Sequence, residues 1–146
     1  MRGKPAPKRK INPDTKYSSL VIAKLINYVM RRGKRTTAER VVYGAFDMIA
    51  EKTKLDALDV FDRALKNFQP TVEVRSKRVG GANYQIPVPV RGDRKIALGF
   101  RWIIAAAEHR SGRGMSEKLA DEFIAASNNE GDAMKKKADV NRMAEA

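Results

Sequence analysis

The chain has 146 residues, 42% of them hydrophobic, long enough to bury roughly 70% of its unfolded surface in one domain. It has no cysteine, which excludes disulfides, thiolate metal sites and thiol catalysis. Thirty Lys plus Arg against seventeen Asp plus Glu give a formal charge of +13, so the chain needs a polyanionic partner. A membrane fits poorly. The longest apolar stretch, 102–107, is far too short to span a bilayer, and Met1-Arg2-Gly3-Lys4 leads into prolines and lysines instead of a signal-peptide apolar region. Cytoplasmic residence is the expectation.

Residues 1–16 carry Arg2, Lys4, Lys8, Arg9 and Lys10, with no acid until Asp14 and with Pro5, Pro7 and Pro13 between. This predicts an extended basic tail, disordered unless bound to an anion; a merely solubilising tail is the plainer alternative. A helix follows from about Ser19 to Arg32, with Val21, Ile22, Leu25, Ile26 and Val29 at helical spacing and Gly33 as its stop. Thr36-Thr37-Ala38-Glu39 reads as a capping box for the next helix, striped by Val41, Val42, Ala45, Phe46 and Ile49. The short Gly33-Lys34-Arg35 connection makes these two helices antiparallel neighbours. Asp56 caps a third helix with Leu58, Phe61, Leu65 and Phe68 inside, and Pro70 bars its continuation.

Residues 71–91 predict a β-ribbon arm between the third and fourth helices. Two β-type runs flank Gly80-Gly81, a pair that reverses the chain at little steric cost. Val72 and Val74 alternate on the first run; Tyr84, Ile86, Val88 and Val90 alternate on the second. If both sets share a face, paired residues have even sums and the loop holds an odd number of residues, barring a bulge. Pro87 and Pro89 are two apart, so their missing N–H groups lie on one edge, which is thereby blocked against a third strand. A free two-stranded ribbon follows, and its base must pack on something apolar. The other face takes Arg75 and Lys77, with Arg78 near the tip and Arg91, Arg94 and Lys95 past the base. Six cations against Glu73 and Asp93 exceed what gatekeeping of an edge requires.

Asp93 then caps a long helix to about His109. Ile96, Phe100, Ile103 and Ala107 form one stripe, while Leu98 and Trp102 lie nearly opposite, so the helix is central or has the ribbon base on its second side. Ser116 to Ser127 is a fifth helix carrying Leu119, Ala120, Phe123 and Ile124. Asp132 opens a sixth to about Met143, with a thin apolar stripe and an exposed Lys135-Lys136-Lys137 run. No repeat or linker divides the chain. The expected fold is mainly α: a single-domain bundle of about six helices with a protruding two-stranded ribbon.

The cations gather in the tail, around Arg31, Arg32, Lys34 and Arg35, along the ribbon, and at Arg110 and Arg113, all at element ends or loops that a bundle can bring to one face; Arg101 joins them as a candidate contact. Catalysis has no support. His109 is the only histidine, placed to relieve a helix dipole, with no nucleophile or base beside it. Gly33-Lys34-Arg35-Thr36 follows a helix and lacks the upstream glycine of a phosphate-binding loop. No carboxylate cluster suits metal ions, and no cofactor or small-molecule substrate is expected. Phe46, Phe61, Phe68, Phe100 and Phe123 all fall on core stripes, which argues against a stacking sheet; Tyr84 is the best-placed aromatic for a base, with filling the ribbon's apolar face as its competing role. The mechanism left is phosphate neutralisation plus recognition of RNA shape.

Ser19, Val21, Leu25-Ile26, Gly33-Lys34-Arg35, Val41-Val42 and Ala45, the arm from Val72 to Gln85, and the end Lys135-Lys136-Lys137 with Val140 and 142–146 together resemble the universal small-subunit ribosomal protein seven family in its bacterial form. The resemblance covers nearly the whole chain. It implies a structural protein in the head of the small subunit that binds the 3′ major domain of the rRNA and initiates its assembly. It further implies that Gly80, Gly81, Ala82, Asn83 and Tyr84 at the tip, with Arg142 and Met143 of the last helix, lie near exit-site tRNA and mRNA. Ribosomal proteins nine and eleven would be neighbours, and some relatives repress their own messenger. Pro89 departs from the acidic residue many bacterial relatives carry there, which raises local positive charge and stiffens the arm. The rival readings are a DNA architectural protein with minor-groove arms, disfavoured by a tip without an apolar wedge, and an RNA-processing enzyme, disfavoured by the missing acid–base constellation.

Overall fold

The computed structural model describes residues 3–112 and 114–145. Among them six helices and two strands follow in the order α1 (Leu20–Val29), α2 (Arg35–Thr53), α3 (Ala57–Phe68), β1 (Val72–Val79), β2 (Ala82–Pro89), α4 (Gly92–His109), α5 (Met115–Ser127) and α6 (Asp132–Glu145). No helix among the described residues is long and apolar enough to cross a membrane.

One hydrophobic cluster draws on all six helices. The five phenylalanines stand at its centre, fully buried as their spacing predicts. Phe61 joins them, with its ring centroid 5.2 Å from Phe46, 5.3 Å from Phe123 and 6.3 Å from Phe100. Each such pair contributes about 0.5–1.5 kcal/mol beyond the area it buries. Rings from α2, α3, α4 and α5 therefore lock the bundle at one point.

Asp14 organises the entry to α1 ahead of Ser19. The buried Asp14 carboxylate accepts from the backbone N–H groups of Lys16, Tyr17 and Ser19 and from the Tyr43 hydroxyl. Four donors offset the cost of removing that charge from water. Ser19 then caps α1 by accepting from Ile22 N–H.

Two helix starts differ from expectation. α1 ends at Val29, not Arg32, because Arg32 (φ 55°) and Gly33 (φ 71°) make a left-handed reversal. That reversal delivers the chain into helical geometry at Arg35, one residue before Thr36, so the expected capping box never forms. Lys34 is the N-cap without a side-chain bond, and Glu39 pairs instead with Arg35 one turn back. Likewise Asp93 lies in the first turn of α4 behind the N-cap Arg91, and its carboxylate reaches the tail. The Asp56 cap does form, accepting from Leu58 N–H.

The ribbon pairs Val79 with Ala82 and Val72 with Pro89 in an antiparallel ladder. Every pair sums to an odd number and the loop holds two residues, so the even-sum expectation is overturned. Gly80 (φ 58°) and Gly81 (φ 85°) both take positive φ, the tight turn whose twist suits a two-residue hairpin, and this turn fixes the register. Tyr84, Ile86 and Val88 consequently share a face with Lys77, Arg75 and Glu73; Val72 and Val74 share the other with Pro89 and Pro87. Both prolines still close the outer edge in this register. Val90 N–H donates to Thr71 O, so hydrogen-bonded pairs alternate from there through Val88 and Ile86, and both prolines fall on the outward edge.

The base of the ribbon does rest on apolar structure. Val90 is buried, and α6 packs against both strands and against α4. Leu98 and Trp102, the second apolar side of α4, line the cavity between α4, the ribbon and α6 together with Val74, Val140 and Met143. Close approach sets this joint. A Cβ on Gly99 would lie 2.8 Å from the Phe68 ring, so α3 reaches α4 only because residue 99 has no side chain.

Lys137 corrects the expectation of a uniformly exposed lysine run. Its Nζ turns inward to donate to Asn67 O at 2.7 Å, while the Asn67 amide donates to Ala126 O and Ser127 O. Burial pushes the Lys137 ammonium below its ordinary pKa. Lys137 and Asn67 thus tie the ends of α3 and α5 to the middle of α6.

Candidate nucleic-acid interface

Helix α4 is the spine to which the cationic segments attach. In its first turn, Asp93 accepts from Lys8 of the tail at 3.0 Å, and the adjacent Arg94 donates to Glu73 of β1 at 2.9 Å. Neighbouring residues on one helix end therefore hold the tail and the ribbon. In its last turn, Glu108 pairs with Arg31 of the α1–α2 connection. The start of α2 is tied to α1 as well, since Arg35 donates to Asn27 Oδ1 at 2.6 Å. Arg9 and Lys10 border a cavity shared with Asn27, Arg35 and Glu39, so the tail and connection are contiguous.

The tail lies along the bundle: Ile11 is half-buried and Lys8 is docked. The Lys8 ammonium, helped by Lys24, holds the Asp93 carboxyl below the usual carboxylate range. Lys4, Arg9 and Lys10 are exposed. Arg32 and Lys34 are exposed on the connection beside the paired Arg31 and Arg35.

On the ribbon, Arg75 and Arg94 both contact Glu73, whose side chain is only 14% exposed. Hydrogen bonding from Arg94, then from Arg75, pulls the Glu73 carboxyl below its ordinary value. Lys77 and Arg78 project into solvent from opposite faces. Arg91 and Arg101 are exposed and Lys95 is half-buried. Residues 80 to 84 form an exposed tip, with Tyr84 at 56% exposure beside Lys77 instead of filling an apolar face. Arg142 pairs with Asp139, and Met143 lines the cavity under the ribbon.

One predicted contact is committed elsewhere. Arg110 donates to Glu122 of α5 at 2.7 Å; the Glu122 carboxylate is 1% exposed, and its second oxygen has no hydrogen-bond partner among the described residues. That carboxylate raises the Arg110 pKa further. A cation so engaged is a structural counter-ion, which places it apart from the spine's outer cations. Arg2 and Arg113 lie outside the described residues.

Tyr28, 38% exposed near the tail, was not among the expected aromatic contacts. It was legible as the sequence Lys24, Asn27, Tyr28, an i, i+3, i+4 set on the side of α1 away from its apolar stripe. Among the described residues no group of His, Asp and Glu is disposed to hold a metal ion.

The family described as Ribosomal protein S7p/S5e matches residues 1–146. The chain is 56% identical over 146 residues to a Thermotoga petrophila protein named small ribosomal subunit protein uS7, covering 100% of this chain and 94% of that one. Proteins of the same name from Afipia carboxidovorans and Caldanaerobacter subterraneus subsp. tengcongensis are each 55% identical, over 97% of this chain and 90% and 91% of theirs.

Proposed function

The chain belongs to the S7p/S5e family of ribosomal proteins, and on that premise we propose that it grips the 3′ major domain of small-subunit rRNA through its tail, its α1–α2 connection and its ribbon. Family membership makes it a structural constituent of the small ribosomal subunit, a ribonucleoprotein component of translation and not an enzyme. The finer role is the proposal: binding folded rRNA, starting assembly of the head, and leaving the ribbon tip and last helix beside exit-site tRNA and mRNA. Ribosomal proteins nine and eleven are the proposed protein neighbours, and repression of its own messenger is a proposed second use of the same surface.

One observation carries the reading. Asp93 and Arg94 at the start of α4 tie the tail and the ribbon to the same helix end, which supports a shared cationic surface. A surface of this kind neutralises phosphates on a folded RNA whose backbones converge, and needs no base-specific groups. With about six to ten phosphates engaged, affinity falls about a thousandfold or more between roughly 50 and 200 mM salt.

A competition titration checks it. Folded 3′ major domain rRNA should displace duplex DNA at equal concentration across that salt range, with hydroxyl-radical protections gathered at one junction. Equal displacement by duplex DNA would mean generic polyanion binding and overturn the reading.

A further inference from the structure

Beyond its cations, the surface contains a cavity of about 610 Å³ between α1, the first turn of α4 and the tail. Its contents differ from the rest of the interface. Tyr28, 38% exposed, lines it, and its ring centroid lies 5.9 Å from that of the buried Phe100 with the two rings tilted at 60°. A ring packed against a buried neighbour has a restricted orientation. Lys24, Lys8 and Arg9 border the same space, and Ile96 adds an apolar wall.

Asn27 supplies the polar group. Arg35 donates to its Oδ1, and a guanidinium can only donate, so the amide is oriented with Nδ2 left to donate in turn. Aromatic face, amide donor and cations within one cavity form the set that holds an unstacked nucleotide. Asp93 lines the same space and is paired with Lys8, which leaves Lys24 and Arg9 as the cations beside the ring.

We propose that this cavity receives one unpaired base of the bound RNA, stacked on Tyr28. Asn27 Nδ2 donates to an acceptor on the base edge, and Lys24 and Arg9 neutralise the flanking phosphates. The proposal rests on the rRNA-binding reading above and deepens it, since it adds a base contact to a surface otherwise made of phosphate contacts.

The test compares wild type, Tyr28→Leu, Tyr28→Phe and Lys24→Ala in titrations of the 3′ major domain rRNA fragment, with helical circular dichroism recorded for each. Leucine keeps an apolar contact with Phe100 and removes the ring. It should weaken binding about tenfold and leave the dependence of log affinity on log salt unchanged, because no charge is lost. Phenylalanine keeps the ring and should bind within about twofold of wild type. Lys24→Ala should instead reduce the salt slope by about one. With 2-aminopurine at the unpaired position that the wild type protects, fluorescence should be quenched by wild type and Tyr28→Phe and not by Tyr28→Leu. Wild-type affinity in a folded Tyr28→Leu would overturn the base pocket alone, as would equal losses in Leu and Phe. Failure of the wild type to bind the fragment would overturn the rRNA reading itself, so the two failures are distinguishable.

Discussion

A cation facing solvent and a cation facing a buried carboxylate look identical in a sequence, and Arg110 shows how far their roles diverge. Its partner Glu122 occupies a position beside the stripe of Leu119, Ala120 and Phe123, where a glutamate is ordinarily solvated. Instead it is buried, one oxygen bound by Arg110 and the other unpartnered among the described residues. Breaking such a pair from one side strands a charge in the interior. Arg110→Met should therefore lower unfolding free energy by about 3–5 kcal/mol in urea titration, whereas exposed Arg101→Met should stay within about 0.5 kcal/mol of wild type. Asp14 was equally illegible. An aspartate after proline reads as a loop residue, and only the folded chain brings three backbone donors and Tyr43 around it.

At the scale of the element, the ribbon separates what local chemistry dictates from what it does not. Proline phase was legible because a missing N–H acts wherever the strand pairs. Register was not, because matching the apolar sets of a nearly solvent-immersed ribbon gains little, while two glycines at positive φ define a two-residue turn outright. Gly80→Val with Gly81→Val should cost about 1–2 kcal/mol per residue in the left-handed turn. The cross-strand amide contacts in NMR should disappear while helical circular dichroism persists; a retained ladder would show that the turn does not govern register. The base of the ribbon responds to acid. The folded Glu73 pKa lies below its unfolded value, so the contribution of Arg94 and Arg75 is complete above the unfolded pKa and is lost as pH falls through the depressed folded one. Amide shifts of Val74 and Val88 should titrate together in that acidic window. Glu73→Gln should abolish the titration and cost about 0.5–1 kcal/mol at neutral pH.

Across the whole molecule, helices and core were legible because five phenylalanines and their aliphatic neighbours recur at helical spacing, which turns them to one face of each helix. The convergence of charged segments was legible only as a possibility. It depends on Lys8–Asp93 and Arg31–Glu108, pairs separated by 85 and 77 residues, which no local pattern announces. The division between support and contact is testable on the ribbon. Arg94 still holds Glu73 when Arg75 is removed, and Lys77 has no share in that contact. Arg75→Ala with Lys77→Ala should thus leave the melting temperature and helical signal nearly intact while lowering the salt slope of rRNA binding by about two. A collapsed fold would mean that these side chains are structural.

The two prolines of β2 also determine what an exchange measurement can read from the arm. Between Ile86 and Val90 the chain has amide hydrogens only at 86, 88 and 90, and each of those positions faces β1. The outward positions, which elsewhere in a two-stranded ribbon would trade deuterium with solvent at once, are silent. Deuterium uptake in this five-residue segment is therefore a direct clock for opening of the arm, without a background of unpaired amides. The protein carries its own reporter of whether the ribbon is closed before RNA arrives.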